Sequence, residues 1–173
     1  MTEPAPDDAF DPGPGLAPEE MATYFALMEA VGVLQHHVEQ QLRADADLST
    51  VQFQILASLA AAGGCLTMTE LADGVVYSRS GLTYQAGLLE KAGLVSRGPS
   101  PDDERSTRVA ITDAGYARVN QVMPGHVEVA KRLLFGPLTD ADVARLGDIM
   151  ARVRDHMRAQ PPRSAAPRKK RAS

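Results

Sequence analysis

Arg79, Ser80, Thr83, Tyr84 and Gly87 are spaced so that, at about 100° per residue, they share one side of a helix, while Leu82, Gln85, Ala86 and Leu89 share the other. A guanidinium, two short hydroxyls and a phenol on one face offer the hydrogen bonds that phosphates and base edges accept. Arg79 can reach a guanine or a phosphate, Ser80 and Thr83 approach closely, Tyr84 can pack on a thymine methyl or donate to a phosphate, and Gly87 lets the backbone come near. Ser78 stands just ahead, where its hydroxyl caps the helix. Taken alone, such a face is equally an ordinary solvated surface. A second group shifts the balance. Asp103 lies two residues before Arg105, close enough to hold the guanidinium in one orientation, as insertion into a minor groove requires. Asp102, Asp103 and Glu104 beside one Arg would make a poor general phosphate contact, so orientation of Arg105 gives the acids a purpose.

Other reactive side chains carry less. His36 and His37 with Glu39 suggest a metal, but adjacent helical residues point about 100° apart and cannot both face one ion without distortion. Cys65 follows Gly63-Gly64 with no cation beside it in sequence, so it reads as a half-buried structural thiol. Met21, Met28, Met123, Met150 and Met157 stand at helical spacings and read as core or interface. No nucleophile beside a base, no paired carboxylates in a glycine-framed cleft and no phosphate loop is present, so neither an enzyme nor a metal or cofactor site is expected.

The elements that must position these groups are written in repeated local grammar. Ser49 with Gln52, Thr67 with Glu70 and Thr139 with Asp142 each form a capping box at a helix start. A long first helix from about Pro18 to Arg43 carries Met21, Tyr24, Phe25, Met28, Val31, Val38 and Leu42 on one stripe. The second runs from Ser49 to the Gly63-Gly64 break, and the third from Thr67 to about Gly74 with Leu71 and Val75 inward. The fourth ends at Gly93, with Leu94 closing the cap. Leu94–Arg97 and Arg108–Ile111 read as two strands joined by a polar turn with Pro99 and Pro101. Thr112 caps a fifth helix, interrupted at Pro124-Gly125. A sixth starts after Thr139, with Val143, Leu146, Ile149 or Met150, Val153 and Met157 on one side. The expected class is mainly α (α+β), a winged helix-turn-helix whose fourth helix enters the major groove, with additional N- and C-terminal helices.

In order along the chain, Leu48-Ser49-Thr50-Val51-Gln52-Phe53-Gln54-Ile55-Leu56, Leu71-Ala72, Ser80-Gly81-Leu82-Thr83, Leu89-Glu90-Lys91-Ala92-Gly93-Leu94-Val95, Asp103-Glu104-Arg105-Ser106 and Ile111-Thr112-Asp113-Ala114-Gly115 resemble the recurring phrases of the MarR family of transcriptional regulators. The resemblance implies a homodimer whose first, fifth and sixth helices interlock, two winged domains on an inverted repeat of double-stranded DNA, and a pocket for small ligands. It implies recognition-helix and wing contacts at Thr83 and Arg105. A small aromatic or phenolic ligand, expected to be an anion, would weaken DNA binding. The chain departs from the family at Tyr84, where Arg is frequent, and at Gly87 and Leu88, where Asp and Arg are common. Those departures remove a charge interaction that often braces the recognition helix.

The domain expectation is a disordered acidic tail at 1–17, dimerisation helices at 18–47 and 113–158, a winged helix DNA-binding domain at 48–112 and a basic disordered tail at 159–173. The first tail holds Glu3, Asp7, Asp8 and Asp11 among prolines; the last holds Arg168, Lys169, Lys170 and Arg171. Overall the 173 residues carry a net charge of −4, which argues against indiscriminate coating of nucleic acid. The single cysteine fits a reducing cytoplasm, and no apolar run suits a membrane span. Two functions from different classes follow: a sequence-specific, ligand-responsive repressor binding an inverted-repeat operator, or a winged-helix protein-interaction module that does not bind DNA. The acidic core mildly favours the second; Arg105 and the polar helix face favour the first.

Overall fold

In a computed structural model, residues 15–75, 79–99 and 107–159 are described. The chain divides between His126 and Val127 into two compact units. In the first, helix α1 spans Pro18–Ala46, α2 Thr50–Ala61, α3 Met68–Gly74 and α4 Arg79–Lys91. Strand β1 is Cys65–Thr67, β2 Val95–Pro99 and β3 Thr107–Ile111. Helix α5 covers Asp113–Ala130 and crosses the division; a π-helical segment, Lys131–Phe135, and helix α6, Asp140–Arg158, follow.

The expected class holds: helices dominate, with one small antiparallel sheet. All three capping boxes form. The Ser49 hydroxyl accepts from the Gln52 N–H at 3.2 Å while Gln52 Oε1 accepts from the Ser49 N–H at 3.0 Å. Thr67 and Glu70 make the same exchange at 3.2 and 2.7 Å, and Thr139 and Asp142 at 3.2 and 3.1 Å. Each box satisfies amides that the first helical turn leaves without partners.

Three differences from the sequence expectation have tertiary causes. The sheet has three strands in the order β1-β3-β2, because Cys65 pairs with Ala110 and Thr67 with Arg108. Only β2 and β3 were expected; β1 is three residues long and shows no periodicity to read. Helix α1 continues past Arg43 to Ala46 because α5 side chains satisfy its last carbonyls. Arg118 Nη1 donates to the Ala46 carbonyl at 2.7 Å and Gln121 Nε2 to that of Asp45 at 2.6 Å. Helix α5 runs through Pro124 instead of breaking there. The proline removes one donor, yet the helix is held by packing on α1, where Gln41 Nε2 donates to the Val122 carbonyl at 3.1 Å. Gly125 permits that approach, since a Cβ there would stand 2.5 Å from Asp45 Oδ2.

The core of the first unit is built from Leu42, Ile55, Leu56, Leu59, Leu71, Leu82, Leu89, Val109 and Val122, all fully buried. Gly115 joins α5 to the end of α4, because a Cβ there would lie 2.2 Å from the Leu94 carbonyl oxygen. Thr112 caps α5 as expected, accepting from the Gly115 N–H at 3.1 Å and donating to the Gly93 carbonyl at 2.7 Å. In the second unit, α6 buries no residue, and Ile149, Met150, Val153 and Met157 are exposed.

Candidate nucleic-acid interface

Helix α4 is fastened by its apolar side. Leu82, Ala86 and Leu89 are buried, Gln85 is half-buried, and Ser80, Thr83 and Tyr84 face solvent, with Tyr84 64% exposed. This is the division expected from the spacing. Ser78, the Arg79 side chain, Asp103 and Arg105 lie outside the described residues. The structure therefore brings Ser80, Thr83 and Tyr84 together on one face; it does not bear on the other four.

The helix ends as its sequence demands. Gly93 adopts φ 72°, the Gly93 N–H donates to the Glu90 carbonyl at 2.9 Å and the Leu94 N–H to that of Leu89 at 2.9 Å. That pair of bonds reverses the chain straight into β2.

The reversal creates a clamp that the sequence reading missed. Glu90 Oε2 accepts from Arg97 Nε at 2.8 Å and Nη2 at 2.5 Å, and its Oε1 accepts from the Arg97 backbone N–H at 3.2 Å. These bonds, from the Arg97 side chain first, hold the Glu90 carboxyl below its ordinary range. A Cβ at Gly87 would stand 3.7 Å from Arg97 Nη2. The guanidinium therefore lies against the helix at Gly87, and strand β2 is pinned to α4 by charge as well as by chain connection. The clamp reaches the helix from the strand that follows it, beside Gly87. Its only sequence signal was an acid before the Gly93 turn and a base after it.

Cys65 also gains a partner from a distant strand: it is half-buried, and Arg108 Nε donates to its Sγ at 3.2 Å. Antiparallel pairing of β1 with β3 places them together, which no local pattern could show.

A cavity of about 990 Å³ opens between α1 and α2 and reaches the end of α3. Gln35, His36 and Glu39 line it from α1, Thr50, Phe53 and Ser58 among others from α2, and Gly74 and Val75 from the segment leading toward α4. His36 and His37 pack edge to face with ring centroids 5.8 Å apart; His36 lines the cavity and His37 does not. Glu39 ties α1 to the start of α2. Its Oε2 accepts from the Thr50 N–H at 2.8 Å and the Thr50 hydroxyl at 2.5 Å, and its Oε1 from Arg43 Nε at 3.1 Å. The Thr50 hydroxyl, first, and then the Thr50 amide and Arg43 hold this carboxyl below its ordinary range against partial burial.

The sequence profile of the MarR family matches residues 46–106, from the end of α1 to just before β3. The chain is 31% identical over 112 residues to the HTH-type transcriptional regulator PecS of Dickeya dadantii, which covers 64% of this chain and 67% of that protein. It is also similar to a MarR family transcriptional regulator from Streptomyces coelicolor solved in complex with DNA. That structure is 34% identical, with a TM-score of 0.79, over 88% of this chain and 94% of the other. The chain belongs to the MarR family. AbsC, a further MarR family regulator from Streptomyces coelicolor, aligns with a TM-score of 0.79 at 26% identity over 86% of this chain and all of that one. As a member, the chain is a winged helix-turn-helix transcriptional regulator, and the relatives are regulators of transcription, not enzymes. Among the described residues, no helix is long and apolar enough to cross a membrane.

Proposed function

We propose that this chain is a sequence-specific, ligand-responsive repressor that binds an inverted-repeat operator in the cytoplasm as a homodimer. The observation that carries the reading is the exposed polar face of α4, held on a buried apolar side and pinned to the wing strand by Glu90 and Arg97. A similar regulator has been solved on DNA, which supports the same use of this face. Ser80, Thr83 and Tyr84, with Ser78 and Arg79 at the start of α4, meet base edges and phosphates in the major groove. Arg105, oriented by Asp103, enters the adjacent minor groove.

The segments 18–47 and 113–158 serve as dimerisation helices and 48–112 as the DNA-binding domain. Exposed apolar residues on α1, among them Tyr24, Phe25 and Met28, and those on α6 have no cover within their own units. A second copy supplies it. Two-fold symmetry then sets two wings about one helical turn apart. A small aromatic or phenolic ligand in the α1–α2 cavity shifts the population toward dimers whose α4 helices are spaced wrongly for successive grooves.

Footprinting on DNA flanking the gene, followed by fluorescence anisotropy on the protected site, tests the reading. Arg105→Ala should weaken binding by roughly 1 to 3 kcal/mol per half-site with little loss of fold stability. Asp103→Ala should act in the same direction and less. Unchanged affinity in Arg105→Ala would mean that the wing does not read DNA and would turn the function toward protein docking.

A further inference from the structure

The cavity between α1 and α2 has an uneven electrostatic wall. Glu39 contributes a full negative charge, and no Lys or Arg lines the cavity among the described residues. Arg43 offsets part of that charge from outside, but its side chain is 53% exposed and not part of the wall. The remaining polar lining is neutral amide and hydroxyl, Gln35, Thr50, Gln54 and Ser58, together with the imidazole of His36. Phe53 and Val75 provide apolar surface. An aromatic anion entering this space would give up hydration, find no cation among the described lining residues and meet a carboxylate. A neutral or cationic ring with N–H or O–H donors meets the opposite situation, since carboxylate, amide and hydroxyl oxygens can all accept.

We infer that the effector of this cavity is an uncharged or positively charged aromatic compound bearing hydrogen-bond donors, and that Glu39 selects against aromatic carboxylates. The inference rests on the ligand-responsive reading above and narrows the sequence expectation: an aromatic or neutral phenolic ligand fits the wall, whereas an anionic one does not. It also gives the ligand a route to the DNA-binding helix. The group that reads its charge, Glu39, holds the first residue of α2 through Thr50, and the far wall of the cavity is the Gly74-Val75 segment that leads toward α4.

Ligand-observed NMR on the full-length protein at neutral pH, with benzylamine, benzamide and benzoate as size-matched probes, tests this directly. Benzylamine and benzamide should bind more tightly than benzoate by roughly tenfold or more. Glu39→Gln should lower benzylamine affinity and close most of the gap to benzoate. Gly32→Leu places a side chain from the cavity wall where an added Cβ meets nothing within 4 Å, and should suppress binding of all three without unfolding α1. Benzoate binding tightest, or a gap between benzylamine and benzoate left unchanged in Glu39→Gln, would overturn the charge assignment and leave ligand response standing. Failure of every probe to bind, or binding that survives Gly32→Leu, would overturn the cavity as an effector site altogether.

Discussion

Arg97 acts through Glu90, and its worth lies in geometry more than in stability. Both side chains are partly open to solvent, so the ion pair itself is screened. What the guanidinium adds is a fixed relation between β2 and α4. Arg97→Ala should therefore melt close to the parent protein yet bind operator about three- to tenfold more weakly. Arg97→Lys should recover only part of the loss, because one ammonium cannot reproduce the paired bonds. Equal affinity for parent and Arg97→Ala in anisotropy titrations would show that the clamp does not position the wing. His126 makes a separate claim. Its ring packs on Phe53 with centroids 4.8 Å apart, its Nδ1 is buried without a partner, and desolvation pushes its pKa below the ordinary 6.5. A histidine with a depressed folded value binds fewer protons folded than unfolded, so stability is fully present above the unfolded pKa. It declines as pH falls from about 6.5 through the folded value. Denaturant midpoints measured from pH 7.5 to 5.5 should fall, and His126→Phe should flatten that slope.

Elements in this protein are set by short-range caps and trimmed by long-range contacts. Gly115 shows the second effect: its Cβ position is occupied by the Leu94 carbonyl, a backbone atom with little freedom to move. Gly115→Ala should cost about 3 kcal/mol by overpacking, although alanine is the better helix former. Gly32→Ala provides the contrast. It sits within α1 with open space around it, so the same substitution should stabilise by about 0.5 to 1 kcal/mol. Chemical denaturation of the two variants gives opposite signs if packing at Gly115, and not propensity, governs the start of α5. Helix α5 illustrates the same ordering of effects. Pro124 weakens it locally, and contacts from Gln41 and Asp45 at the α1 surface keep it continuous.

In each of its compact units the chain leaves apolar surface that the unit itself does not cover. Phe25 is 60% exposed and Met157 65% exposed, each on a long helix whose neighbouring apolar residues are also open. Exposed stripes of this extent mark association surfaces. Light scattering should return twice the chain mass. Phe25→Glu combined with Met28→Glu should shift the protein toward a folded monomer with weakened operator binding, because the substituted positions are already solvated within one chain. A parent protein that stayed monomeric while binding its operator at full affinity would remove dimerisation from the mechanism.

What could be read from the residues alone was whatever depends on neighbours a few positions away. The Ser49, Thr67 and Thr139 caps, the polar and apolar sides of α4 and the Gly93 reversal all rest on spacings of three to five residues, and all appear in the fold where expected. The family phrases from Leu48 to Thr112 added the winged architecture. Tertiary structure decided what depends on partners far along the chain. Strand β1 exists because β3 offers it an edge, Arg108 reaches Cys65 only through that pairing, and α1 extends because α5 caps it. The charge of the cavity wall belongs to the same class. Glu39 looked like part of a weak His-rich cluster, and only the docking of α1 on α2, through Thr50, makes it a carboxylate on the wall of the α1–α2 cavity. Local hydrogen bonding is encoded within a helical turn, whereas electrostatic surroundings are encoded by the packing of the entire unit.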